Sequence, residues 1–202
     1  MQAHLQTEAW LRSLSCKERN LTFTAIREGF YSESYPMYTA FFNPMDPVGE
    51  IMIPHDGKAP GVAWVAINDL GEASAKLITE FVSDPQNKRY INNIVLLSGP
   101  KDWTLEETVQ VLGKFVGKNI SIRQVSFNEH AENPRVVKAL NSHGPDDAAR
   151  DWTTVFQAIR EGETSAITGE LERLLDRSAE DFETTVRKMI ATQSSTPMPQ
   201  KR

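Results

Sequence analysis

The sequence predicts a mixed α/β fold. Residues 21–26 and 91–98 are short, apolar and rich in β-branched or aromatic side chains, as buried strands are. The second carries Ile94, Val95, Leu96 and Leu97 in a row, a pattern of burial on both faces that suits a parallel sheet. Between and after these strands lie segments with the 3.6-residue apolar period of helices, and this mixture of strands and helices gives the fold class.

Each element has its own local reason. Residues 3–14 place Leu5, Ala9, Trp10 and Leu14 near one helical face, with Glu8 and Arg12 four apart. Residues 27–34 are polar and aromatic, with Gly29 as a special backbone position. Residues 35–42 hold Tyr35, Tyr38, Phe41 and Phe42, which either line an apolar pocket or pack on the sheet. Short strands are expected over 50–54 and 62–67, separated by the Asp56-Gly57 turn signal. Asp69 with Glu72 suggests the entry of a helix running to about residue 83, with Leu70, Ala73, Leu77, Ile78 and Phe81 inward. Thr104 and Glu107 form a capping box for a helix to about residue 117. Residues 120–127 alternate as a strand, and Ser126 with Glu129 caps the next helix. Residues 151–161, 170–175 and 179–191 read as helices. Residues 193–202 contain two prolines and no core pattern, and are expected to be a disordered tail. The inventory holds too few central strands for a complete parallel sheet and starts inside a helix. It therefore looks like the second half of a larger α/β domain.

Composition narrows the function. With 22 Lys and Arg against 27 Asp and Glu, the net charge of -5 and the lack of a basic stripe argue against a nucleic-acid ligand. One cysteine, Cys16, excludes an internal disulfide and the cysteine-rich zinc sites. The longest apolar runs fall far short of the ~20 residues of a membrane span. With no signal peptide visible, a cytoplasmic protein is the default expectation. Glycine-rich phosphate fingerprints and the His-Glu-x-x-His zinc motif are absent, and no tyrosine is followed by lysine four residues later. The four histidines lack metal-ligand spacing.

One stretch suggests a site. Ligands of open α/β sheets bind outside the carboxyl ends of the strands. Tyr31, Ser32 and Glu33 would stand at such an end, after the strand at 21–26. Their hydroxyls and backbone groups suit an amide such as a nicotinamide carboxamide. The other reading is a folded loop in which Tyr31 packs and Glu33 bonds backbone.

The helix with His4-x-x-Thr7-Glu8, followed by Arg27-x-Gly29-x-Tyr31-x-Glu33 at a strand end, resembles the NmrA-like group of atypical short-chain dehydrogenases. The likeness is to its NADPH quinone reductase and azoreductase-like members. Residues 62–73, 93–99 with Trp103-Thr104-Leu105, Asp151-Trp152, Gly162-Glu163 and 174–177 resemble the family's later segments in order and spacing. The resemblance covers residues 3–191. It implies the C-terminal part of a Rossmann-type NAD(P)-binding fold with a small accessory α/β substrate region, the first strands missing. Residues 1–192 would form that unit.

The resemblance also implies NADP or NAD as cofactor, at a site to which this chain alone supplies only one end. His4, Gly29, Phe30, Tyr31, Ser32 and Glu33 would bind the nicotinamide end, with His4 near its ribose or else a plain surface histidine. Tyr31 would orient or polarise the substrate, and Tyr35, Tyr38 and Phe41 would contact it. The implied reaction is hydride transfer to a quinone-like or enone-like small molecule, with the isolated chain expected to be truncated and inactive. The alternative is a non-catalytic, dinucleotide-sensing regulator. A homodimer is compatible with either.

Overall fold

The two apolar stretches singled out as central strands do pair with each other. In the computed structural model, which describes residues 2–17, 21–86, 88–142 and 144–195, β1 (Thr24–Glu28) and β3 (Asn93–Leu97) lie parallel, with Ile26 opposite Val95. A parallel pair needs a long crossover, and the chain supplies one that runs through a second small sheet. There β2 (Glu50–Ile53) and β4 (Ser121–Gln124) also run parallel, with Ile51 opposite Ile122. Of the tail expected at 193–202, residues 196–202 lie outside the described residues. Residues 193–195 end the last helix.

The helices follow their local signals in most places. α1 spans Gln2–Lys17, α2 Ile67–Ser83 and α3 Leu105–Val116. α3 begins as expected: the Thr104 hydroxyl accepts the Glu107 N–H, and the Glu107 carboxylate accepts the Thr104 N–H. The Ser126 hydroxyl likewise accepts the Glu129 N–H at the start of α4 (Phe127–Ala131). Residues 131–149, unassigned from sequence, contain α5 (Pro134–Asn141), started by Asn133 and the Pro134 ring. The single helix expected over 151–161 is two, α6 (Ala148–Thr153) and α7 (Val155–Arg160). α8 (Glu170–Leu175) and α9 (Phe182–Ser195) complete the chain.

Three expectations fail, the first two for a tertiary reason. The strand expected at 62–67 is extended and buried, yet it joins no regular ladder, because its main chain bonds several different segments. Val62 exchanges bonds with Trp103, Ala63 bonds Thr164 and Gly99, and Val65 bonds Phe30 and Ser32. α2 starts at Ile67 without the cap read from Asp69 and Glu72. Asp69 is instead buried, accepting hydrogen bonds from Arg177 and the Glu180 N–H and so tying α2 to the segment that joins the last two helices. Ile78, expected inward on α2, is exposed, as are Leu5 and Trp10 of α1 at 55% and 61%.

Two cores meet at the 62–66 segment. Val62 and Trp64 face a large aromatic cluster with Tyr35, Tyr38, Leu105, Leu112 and Phe182. Val65 faces the other cluster, with Leu70, Leu77, Val95 and Leu97. The alternation is that of a strand, with successive side chains on opposite sides. Trp64 stacks on Phe182 at 5.4 Å between ring centres and takes the Tyr38 ring edge-on at 5.2 Å. Its indole N–H donates to the Thr108 hydroxyl at 3.0 Å, and that hydroxyl donates to the Thr104 carbonyl. Neighbouring chain segments press close on this stretch. A Cβ on Gly99 would lie 1.7 Å from the Trp64 carbonyl oxygen, so no larger residue fits there.

A buried histidine closes the far side of the aromatic core. The His130 ring lies edge-on to Phe156. The Thr153 hydroxyl donates to the Ala149 carbonyl, so its oxygen receives the Nδ1–H of His130 at 2.9 Å. This assigns the tautomer and leaves Nε2 as a buried lone pair with no partner among the described residues. Burial holds the imidazole pKa down to about 4.

Two stability effects are expected. Thr108→Val keeps the shape but strands the buried Trp64 N–H, and should lower unfolding free energy by about 1–3 kcal/mol in urea titrations. His130 is neutral in the fold and titrates near its ordinary value when unfolded, so its share of stability is present above about pH 6.5 and is lost as pH falls towards 4. Between pH 7 and pH 5, wild type should lose about 1–2 kcal/mol more than His130→Phe, read from urea midpoints at both pH values.

Candidate functional site

The carboxyl end of β1 opens into residues 29–33, and neighbouring strands fix how that loop lies. The Gly29 N–H continues the β1–β3 ladder to the Leu97 carbonyl at 2.8 Å. Val65 then takes over. Its N–H donates to the Phe30 carbonyl at 3.0 Å, and its carbonyl accepts the Ser32 N–H at 2.8 Å. Because alternate residues of an extended segment turn their main-chain groups to opposite sides, Tyr31 faces away from Val65. The Tyr31 N–H and the Gly29 carbonyl have no hydrogen-bond partner among the described residues. One donor and one acceptor so close together match the two hydrogen-bonding groups of a carboxamide.

The side chains of the loop have separate roles. The Phe30 ring lies 4.9 Å from Tyr38 and anchors the loop to the aromatic core. Tyr31 is 38% exposed, and its hydroxyl donates to the Glu28 carboxylate at 2.6 Å. That bond, aided by burial, raises the phenol pKa, so Tyr31 gives up its proton less readily than an ordinary tyrosine. Ser32 is fully buried, with its hydroxyl oxygen unpartnered among the described residues. Glu33 turns back to α2, where both carboxylate oxygens lie 3.2 Å from the Ile67 N–H. This is the cap that α2 lacks locally: an anion at a helix N-terminus, supplied from an earlier loop. From Ser32 the chain tightens into a 3-10 helix (Ser32–Tyr38).

The sequence-predicted residues therefore divide. Gly29, Phe30, Tyr31, Ser32 and Glu33 come together. Tyr35 and Tyr38 are 1% and 5% exposed, and Phe41 packs against the same core, so the packing alternative describes them. Tyr35 meets Phe182 edge-on, and Tyr38 meets Trp64 and Trp152. His4 is exposed on the first turns of α1, one turn before Glu8. Glu8 holds Arg27 by two bonds of 2.7 and 2.6 Å, and the guanidinium keeps the Glu8 pKa down. Sequence reasoning missed Glu28, Val65 and the Ile67 N–H as partners of the loop. Only Glu28 left a signal, standing three residues before Tyr31.

Beside this loop β1 has an uncovered edge. Ala25, Arg27 and Gly29 face β3, so Thr24, Ile26 and Glu28 turn their main-chain groups outward. A groove of about 450 Å³ runs along α1, lined by Leu5, Glu8, Ala9, Arg12, Ser13 and Cys16. Among the described residues no group of three or more His, Cys, Asp or Glu could hold a metal ion, and no helix is long and apolar enough to cross a membrane.

Glu33→Ala should expose the cost of leaving α2 uncapped. The expected loss is about 1 kcal/mol in urea unfolding, with far-UV helicity retained at low denaturant.

Known proteins give this geometry a context. No protein-family model matches the chain. An NmrA-like family domain-containing oxidoreductase of Aspergillus flavus is 30% identical over 178 residues, 87% of this chain and 50% of that protein. An NADPH-dependent quinone oxidoreductase from Escherichia coli superposes with a TM-score of 0.64 at 21% identity, covering 88% of this chain and 58% of that one. A triphenylmethane reductase from Citrobacter gives 0.64 and 21%, covering 89% of this chain and 56% of that one. The chain spans about half the length of the relatives it matches. In sequence the chain is similar to an NmrA-like oxidoreductase over half of that protein, and its Rossmann-like α/β fold is that of the NADPH-dependent reductases it superposes on.

Proposed function

We propose that this chain is the nicotinamide-facing and substrate-facing part of an NAD(P)H-dependent oxidoreductase, one that reduces a quinone-like or enone-like small molecule. The observation that carries the reading is the loop at 29–33. It stands at the carboxyl end of a parallel strand, is clamped by Val65 and Ile67, and leaves the Tyr31 N–H and Gly29 carbonyl unpaired among the described residues. Those two groups would take the carboxamide, with Phe30 and Tyr31 beside the ring, Ser32 and Glu33 holding the loop's shape, and His4 towards the ribose. When bound, NADPH or NADH supplies the hydride, which the cofactor's own chemistry makes available.

The chain's residues then orient rather than donate. The Tyr31 hydroxyl is engaged by Glu28 and its proton is held more tightly than usual, so it suits positioning better than acid catalysis. The described residues offer no glycine-rich turn between strand and helix for a pyrophosphate. On this reading, phosphate contacts come from a segment seated along the open edge of β1, and this chain alone neither grips a whole dinucleotide nor turns over. A dinucleotide sensor without turnover would use the same loop. Quinone reduction by the protein in its phosphate-binding form separates the enzyme from the sensor.

The loop itself is testable without the phosphate half. Reduced nicotinamide mononucleotide should show saturable contact with this chain by saturation-transfer NMR, strongest at the carboxamide-bearing ring. Tyr31→Pro, which removes the N–H, should abolish it, and adenosine diphosphate ribose should show none. Contact through the adenosine end alone, or no ring contact at all, would overturn the assignment.

A further inference from the structure

The second sheet also leaves an edge uncovered, and there the edge borders a cavity. The carbonyls of Gly49 and Ile53 accept the N–H groups of Ser121 and Val125 at 3.1 and 3.0 Å. By the alternation of a parallel ladder, Gly49, Ile51 and Ile53 face β4, while Glu50 and Met52 turn their N–H and carbonyl groups the other way. Those groups have no partner among the described residues. A concavity of about 310 Å³ runs along this edge. Phe42, Val48 and Ile51 give it an apolar floor, and the turn at 39–42 and the start of α5 form its walls.

Two features give the cavity a chemical preference. The Glu50 carboxylate is engaged by Arg123 at 2.9 Å, so its charge is answered. Among the described residues, Arg135 is held only by a long ion pair with the exposed Asp46 at 3.8 Å, beyond hydrogen-bond reach and screened by solvent. Asn133 spends its carbonyl oxygen on the Arg135 N–H, and its amide N–H groups have no partner among the described residues. The wall opposite is held in an unusual conformation. Ala40 and Phe41 are consecutive non-glycine residues at φ 48° and 55°, closed by the Phe42 N–H on the Thr39 carbonyl. Left-handed backbone of this kind is costly, and it clusters where a surface is shaped for a ligand.

We propose that this groove binds a short extended peptide bearing an acidic side chain. The peptide main chain adds a strand to the edge at Glu50 and Met52, its apolar side chains sit over Phe42 and Val48, and its carboxylate meets Arg135 and the Asn133 amide. β2 is four residues long, so the groove reads about three or four residues of peptide. An acidic peptide fits Arg135, whose own ion pair with Asp46 is long and solvent-exposed. A small anion would use Arg135 but have no use for the strand edge.

The probe is a set of acetylated, amidated hexapeptides of alternating valine and threonine, with one glutamate moved through the sequence, titrated into the full 202-residue chain. At least one should bind saturably with Kd below about 1 mM and shift the backbone amide signals of Glu50 and Met52. Replacing its glutamate by glutamine, or Arg135→Ala in the protein, should each weaken binding about tenfold. N-methylation of alternate peptide amides should weaken it comparably on the unaltered protein, a result that stands even if the variant is unstable. Four results would overturn the proposal. They are no saturation by any peptide, binding indifferent to both N-methylation and Arg135→Ala, binding that needs only the carboxylate, and a groove already covered by a second copy, shown by concentration-dependent sedimentation that peptide does not reverse.

Discussion

The structure depends most on the extended segment at 62–66. All of its residues are 2% exposed or less, and its side chains alternate between the two cores. Buried main-chain groups need partners, and Val62, Ala63 and Val65 find them in the site loop, at Gly99 and Trp103 before α3 and in the turn at Thr164. One stretch of chain thus joins the aromatic core, the aliphatic core and the loop at the end of β1. Gly99 is the steric counterpart of that role, since a side chain there would collide with the Trp64 carbonyl.

The position of the loop is set by this constraint. Phe30 and Ser32 are stitched to Val65, and Glu33 reaches the next turn to cap α2. Tyr31 is left between these two attachments with its ring partly exposed and its N–H unpaired among the described residues. The geometry is that of a rigid presenter of main-chain groups. It suits a reaction in which the protein orients a cofactor that carries the chemistry.

How much of this was legible in the sequence depended on how local each cause was. The capping box at Thr104 and the cap at Ser126 involve residues three apart, and the sequence shows both. β1 and β3 were visible as two apolar stretches, while their pairing with each other is seen only in the fold. The α2 cap was not legible, because Glu33 lies 34 residues before the N–H it accepts. Nor could local pattern settle Tyr35 and Tyr38, whose fate rests on Phe182 and Trp152, more than a hundred residues away. The 62–66 segment looked like an ordinary strand because burial and β-branching were visible, whereas its scattered partners were not. Leu5 and Trp10 showed a helical period, and the helix is there. Both are exposed on α1, and neither belongs to either core cluster.

Amide hydrogen exchange tests the central role of this segment most directly. The N–H groups of Val62, Ala63, Val65 and Ser32 should exchange together, in the slowest class, because all depend on the same buried segment opening. If Ser32 and Val65 instead exchange like a surface loop while Val62 stays protected, the core does not hold the site loop, and the 62–66 segment is not what positions it.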